Sequence, residues 1–167
     1  MDHSLVLSLA KYNALANHLL FETVGKLSTS ELEITPSPSR KNIFRLLQHL
    51  LAVEAHYLAQ AQGRTFDFDA QALSTVESLQ VFASQVDVSL INLVSSLKDE
   101  GLFEEKNIQI GGYAFQFTTW QILLHIFMHS AQHRGELSVL LSFKGQSLTI
   151  PDIIAQFAQE SGQTWPW

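Results

Sequence analysis

Three of the seven histidines stand at four-residue intervals in one stretch of the chain, and this spacing is the strongest chemical signal in the sequence. They are His125, His129 and His133. Four residues of an α-helix turn through about 400°, so the three side chains lie along one helix face. Imidazoles on consecutive turns can each offer a neutral nitrogen lone pair to one metal ion. The alternative is that they are core histidines, hydrogen-bonded to the backbone or to one another.

The stretch that carries these histidines, residues 118–144, is rich in isoleucine, leucine, phenylalanine and valine. Such a helix is too apolar to lie free on the surface, so we expect its imidazoles to face a packed interior. A metal ion held there needs a further donor from another element. Because the chain has no cysteine, every donor must be a nitrogen or oxygen atom.

Composition limits the other possibilities. At 167 residues the chain is expected to form a single domain, 1–167, with a sizeable core. The net charge of −6 and the absence of a basic patch argue against nucleic-acid binding. No long apolar run or basic leader is present, so we expect a cytoplasmic protein that does not bind membranes. The high apolar content, 46%, also suggests a self-association face, and we expect a homodimer.

Apolar residues spaced by three and four predict four long amphipathic helices. Their expected ranges are 4–27, 39–62, 73–100 and 118–144. Ser39 and Thr118 are the expected N-caps, with Thr118 paired with Gln121 in a capping box, and Gly63, Gly101 and Gly145 end the second, third and fourth helices. Alternating residues around a Gly-Gly pair predict a hairpin over 108–117, and residues 149–160 contain a last short helix. The fold class is therefore all-α: a four-helix bundle with a short β-hairpin between helices 3 and 4 and a short C-terminal helix.

The second long helix offers two candidates for the missing donor. His49 faces the core with Leu46 and Val53, and His56 lies seven residues later on nearly the same face, so spacing alone does not choose between them. His18 lies beside the apolar stripe of the first helix and is expected at the surface or at the boundary of the core. In a bundle, His49 can meet His129 and His133. Three imidazoles would leave a coordination position open, which is typical of catalytic sites.

Several motifs resemble the DinB superfamily, the DinB/YfiT-like metalloenzymes, over nearly the whole length of the chain. The most specific is the stretch 125–137, which is similar to the family's H-x3-H-x3-H-R-G-Q/E signature. Tyr12, Asn13 and Asn17 in the first helix, residues 47–51 in the second and Asp152 near the end add to the resemblance. Leu15 departs from it, because many members have Trp there.

The resemblance implies a bundle with an unusual crossover connection and a site for a divalent ion, commonly zinc or nickel. It places the metal ligands at His49, not His56, and at His129 and His133. His125 matches a position that often carries His without being a ligand. Glu136 stands where many members have Gln; it can orient a ligand or lie in solvent, and we favour solvent. His125 and Glu136 are the candidates for catalytic roles. Gly135, unfavourable inside a helix, suggests a close helix approach near the site.

The resemblance also implies a function. An open three-histidine site can activate a thiol or water, and relatives include S-transferases that use low-molecular-weight thiols. We therefore expect a small-molecule substrate and a thiol-dependent transferase. The alternatives are a metal-dependent hydrolase and a non-catalytic, metal-binding or dimerising bundle. The role of His56 is open, and the terminal Trp165-Pro166-Trp167 is expected either to seal a cleft or dimer face or to be a partly ordered apolar end.

Overall fold

In the described part of the chain, the fold is a bundle of four long helices with a two-stranded hairpin and three short helices. The computed structural model describes residues 2–34 and 42–164. In chain order the elements are α1 (His3–Val24), α2 (Thr29–Glu33), α3 (Ile43–Ala61), α4 (Val76–Ser96), α5 (Asp99–Leu102), β1 (Glu105–Ile110), β2 (Tyr113–Thr118), α6 (Thr119–Ser142) and α7 (Ile153–Glu160). The predicted fold class is confirmed. No helix within these ranges is long and apolar enough to cross a membrane.

Local side-chain bonds explain where the long helices begin. Asn42 precedes α3, and its side chain accepts a hydrogen bond from the backbone N–H of Arg45 at 2.7 Å. The predicted cap, Ser39, lies outside the described residues, as does the terminal 165–167 segment. At α6 the predicted pairing of Thr118 with Gln121 is confirmed, since the Gln121 side chain accepts the Thr118 backbone N–H at 2.9 Å.

The third long helix is shorter than the predicted range of 73–100. The Thr75 side chain accepts the backbone N–H of Ser78 at 3.1 Å, so α4 begins at Val76. The backbone becomes extended at Leu97, and Gly101 lies inside the separate short helix α5 instead of stopping a long one. The apolar spacing continues past both ends of α4, and it therefore overstated the length of the helix.

The four long helices do not pack in the order in which they occur in the chain. α1 packs mainly against α4, and α3 packs mainly against α6, with weaker contacts of α3 with α4 and of α1 with α6. The first two long helices, α1 and α3, therefore lie on a diagonal of the bundle. This arrangement requires a crossover connection, as the family resemblance implied, and it makes α3 and α6 neighbours.

The two larger apolar clusters of the core have a polar layer between them, and a third, smaller cluster lies beneath the hairpin. One cluster contains Leu20, Leu47, Leu79 and Leu137, and the other contains Val6, Leu58, Leu90, Leu123 and Ile126. Along each long helix, buried polar residues separate the two sets. They are Asn13 and Asn17 on α1, Glu54 on α3, Asp87 on α4, and Ser130 and Arg134 on α6. All four helices thus contribute polar groups to the same level of the bundle.

The Gln60 side chain attaches the hairpin to α3 by hydrogen bonds. β1 and β2 pair antiparallel, with Ile110 opposite Tyr113, and Gly111 and Gly112 form the turn with φ of 58° and 85°. The Gln60 side chain accepts the backbone N–H of Gln109 at 2.7 Å and donates to its carbonyl at 3.3 Å. Because Ile108 is also buried against α3 and α6, the hairpin is supported by the bundle.

Candidate metal centre

Three histidines from two neighbouring helices meet at the level of the polar layer. His49 comes from the middle of α3, while His129 and His133 come from consecutive turns of α6. The rings pack edge-on, with centroids 5.2 Å apart for His49 and His129 and 4.9 Å apart for His49 and His133. Each ring has one nitrogen in a set of three atoms that all lie within 4.8 Å of one another. The structure therefore brings together the three residues that the resemblance named.

A carboxylate fixes one of these rings. The Nδ1 atom of His133 lies 3.0 Å from Oε2 of Glu136, one turn further along α6. Contrary to the expectation from the sequence, Glu136 contacts a member of the cluster, although its side chain remains 33% exposed. When the neutral His133 ring donates its Nδ1 proton to this carboxylate, its Nε2 atom carries a lone pair. A carboxylate in this position is typical of histidines that bind metals.

His125 is placed differently from the other histidines of α6. Its side chain is exposed, so the prediction of an inward-facing ring is wrong for this residue. It lies over the Tyr57 ring, with centroids 4.4 Å apart, and 5.7 Å from the centroid of His129. Partial burial lowers the pKa of His125, which keeps the ring neutral at pH 7. His125 thus lies at the solvent edge of the cluster without joining it.

The structure also shows that His49, and not His56, joins the cluster. The Nε2 atom of His56 is hydrogen-bonded to the Gln60 side chain, the same group that holds the hairpin. His56 is not part of the three-histidine set. His18 is at the surface, where it is 3.3 Å from Glu22, as predicted. A Cβ atom at Gly135 would meet nothing within 4 Å in the described part of the chain, so the expected close helix approach is absent there.

Behind the histidines, the polar layer is connected by hydrogen bonds across all four helices. Glu54 is at its centre and accepts hydrogen bonds from Ser130 at 2.5 Å, from Asn13 at 3.0 Å and from Asn17 at 3.2 Å. Asn17 also donates to Asp87 at 3.0 Å, which extends the network to α4.

Arg134 on α6 also belongs to this hydrogen-bond network. One of its guanidinium nitrogens donates to the side-chain oxygens of Asn13 and Asn17, each at 2.8 Å. From the sequence, Asn13, Asn17 and Arg134 were recognisable only through the family resemblance, and Glu54, Asp87 and Ser130 were not predicted. The available signal was a polar residue at a core position, for example Glu54 four residues before Leu58.

Burial shifts the pKa values in this layer. Loss of solvent, together with the nearby charge of Glu54, raises the pKa of Asp87 to about 7. Burial also lowers the pKa of Arg134, against the opposing effect of Glu54. Two carboxyl groups thus share one guanidinium, and a proton on Asp87 reduces the excess negative charge.

The three-histidine cluster fits a divalent metal ion. The Nε2 atoms of His129 and His133 are 3.1 Å apart. Two imidazoles on one tetrahedral zinc ion lie about 3.3 Å apart, because each Zn–N bond is about 2.0–2.1 Å long. With the Nδ1 proton of His133 directed at Glu136, the Nε2 lone pair faces the other rings. His49, His129 and His133 could therefore hold the ion as neutral nitrogen donors.

Comparison with known proteins agrees with this fold. The DinB family matches residues 1–161, and the chain belongs to this family. Solved structures of DinB-like proteins are similar to this chain. A DinB-like protein from Bacillus subtilis (YjoA) shares 18% identity, with a TM-score of 0.60, over 87% of this chain and 96% of that one. A DinB-like protein from Bacillus cereus shares 17% identity, with a TM-score of 0.61, over 82% and 89%. No match was found among curated proteins.

Proposed function

We propose that this DinB-family protein is a metal-dependent enzyme that activates a low-molecular-weight thiol for transfer to a small electrophilic substrate. The observation that carries the proposal is the approach of three imidazoles at one point, with one of them bound to a carboxylate. Zinc and nickel are the ions we expect. A bound ion of this kind acidifies a thiol or water so that an anionic nucleophile forms at neutral pH.

The residues of the chain have separate tasks in this proposal. His49, His129 and His133 bind the ion, and Glu136 holds the His133 ring in place. The exposed, neutral His125 accepts the thiol proton at a ring nitrogen. The sulfur then forms a bond to carbon, and the leaving group departs with its electron pair. The chain has no cysteine, so the thiol must come from a cosubstrate. We place the protein in the cytoplasm, where such thiols are abundant.

Metal analysis with histidine variants tests the site. Mass spectrometry of untagged protein should find about one ion per chain, and His49→Ala, His129→Ala and His133→Ala should each lose it. His56→Ala and His125→Ala are matched controls that should keep the ion. A wild-type protein that stays metal-free after incubation with zinc and nickel would refute the proposal.

Product analysis then tests the reaction. The loaded enzyme is incubated with thiols and alkylating electrophiles, and the thioether product is measured by mass spectrometry. Hydrolysis of the electrophile without thiol consumption would instead identify a hydrolase.

A non-catalytic, dimerising bundle is the second candidate. It is favoured by the exposed apolar side chains of Met128 and Val139 on α6 and of Phe143 just beyond its end. Full metal loading without turnover, together with a dimer in light scattering, would support it.

A further inference from the structure

The polar layer lies directly behind the candidate metal ligands. Ser130 follows His129 and Arg134 follows His133 along α6. Consecutive side chains on a helix point about 100° apart. His129 and His133 therefore face His49, while Ser130 and Arg134 point into the core. Glu54 lies five residues after His49 on α3 and accepts the Ser130 hydroxyl at 2.5 Å. One hydrogen bond thus joins the two helices that must present all three imidazoles to one point.

Apolar packing alone does not fix the position of α6 along α3. Hydrophobic contact between α3 and α6 is non-directional, so a small slide of one helix changes its energy little. Buried hydrogen bonds are directional, and buried polar groups can fix one register among several apolar alternatives. Ser130 and Glu54 are both buried, so the bond between them is shielded from competing water.

We infer that Ser130 and Glu54 are positioning residues for the three-histidine cluster, fixing α6 against α3 so that His129 and His133 meet His49. The inference rests on the proposed metal site. It adds two residues that contact neither the ion nor the substrate.

The matched pair for the test is Ser130→Ala and Ser8→Ala. Ser8, on α1, also donates a 2.5 Å hydrogen bond to a glutamate, Glu160, the last residue of α7. Removing either hydroxyl deletes a Ser–Glu bond of the same length, but only Ser130 joins the helices of the cluster. Because the Ser8–Glu160 bond is only partly buried, urea unfolding of both variants separates a general loss of stability from a loss of alignment.

Two measurements are made on each variant. The first is zinc and nickel affinity by competition with a chromophoric chelator, under conditions where each variant remains folded. Ser130→Ala should bind roughly tenfold more weakly than wild type, as is typical when a supporting group is lost, whereas Ser8→Ala should bind normally. Glu54→Gln replaces one of the two acceptor oxygens by an NH2 donor. This variant should also bind zinc and nickel more weakly than wild type.

The second measurement does not need the metal. The ring nitrogens of the metal-free protein are observed by NMR, and the signals of His49, His129 and His133 should shift in Ser130→Ala but not in Ser8→Ala. Unchanged ring signals with unchanged affinity in Ser130→Ala, or equal changes in both serine variants, would overturn the inference. If wild type binds no metal, the proposed function fails, and the ring signals still decide whether Ser130 positions the cluster.

Discussion

At the scale of single residues, Glu136 is the group whose role the structure changes most. The sequence favoured a carboxylate in solvent, yet Glu136 lies 3.0 Å from Nδ1 of His133. A charged acceptor strengthens this hydrogen bond and makes the opposite ring nitrogen a better donor to a metal ion.

Glu136→Gln should therefore weaken metal binding without abolishing it. The amide oxygen can still accept the Nδ1 proton, but it lacks the charge, so we expect about a tenfold loss of zinc affinity. Glu136→Ala removes the acceptor and should bind more weakly still. Competition titration measures both variants, and equal affinities for Gln, Ala and Glu would show that the contact has no influence on the site.

Asp87 gives a second prediction at this scale, because burial raises its pKa from 3.8 to about 7. Between these pH values the folded protein keeps a proton that the unfolded chain has released. Its free energy of unfolding therefore falls as the pH rises through this window, and the loss is complete above about pH 7.

Asp87→Asn should remove this pH dependence while keeping an oxygen to accept the Asn17 hydrogen bond. We expect the variant to be more stable than wild type at pH 8, by up to about 4 kcal/mol, and the difference to shrink as the pH falls towards 4. Urea unfolding at several pH values measures it. Parallel stability curves for the two proteins would contradict the assignment.

At the scale of elements, the sequence predicted what depends on local chemistry and on regular spacing. The existence of the four long helices follows from apolar periodicity, and the start of α6 follows from the pairing of Thr118 with Gln121. The spacing misplaced the ends of α4, because Leu73 and Leu97 continue the apolar pattern without being helical. The start of α4 is set by the Thr75 cap, which apolar spacing does not reveal.

The site was predictable only in part, because it depends on how the helices pack and not only on local spacing. Regular spacing placed His129 and His133 on one face, but only the packing of α3 beside α6 separates His49 from His56. The choice of His49 came from the family resemblance. The partner of His56 is Gln60, whose other contacts lie in the hairpin, and no local pattern connects residues so far apart in the chain.

Gln60 provides the prediction for the hairpin. Gln60→Ala leaves the backbone N–H of Gln109 without its acceptor, which should destabilise the β1–β2 pair by about 1–3 kcal/mol. We expect faster amide hydrogen exchange in the hairpin while the bundle stays protected. Gln62→Ala, which breaks a longer 3.4 Å bond to Ser89 on α4, is the matched control. Equal exchange rates in both variants would show that the Gln60 hydrogen bonds do not hold the hairpin.

At the scale of the whole molecule, the bundle is organised around a charged layer between two apolar clusters. A single guanidinium, that of Arg134, faces the carboxyl groups of Glu54 and Asp87 through the two asparagines of α1. Such buried charges add little net stability compared with apolar packing, but removing one partner is costly. The layer therefore couples the site to the integrity of the whole bundle.

Arg134→Met should destabilise the folded protein by about 3–5 kcal/mol at pH 7, because it leaves buried negative charge without a counter-charge. Adding Glu54→Gln to it removes that charge, so the double variant should be more stable than the sum of the single effects predicts. We expect a coupling of about 0.5–3 kcal/mol in a double-mutant cycle. Urea unfolding of the four proteins measures it, and strictly additive effects would mean that Arg134 acts through packing alone. A positive coupling would show that Arg134 and Glu54, on the two helices that carry the histidines, act as one electrostatic unit.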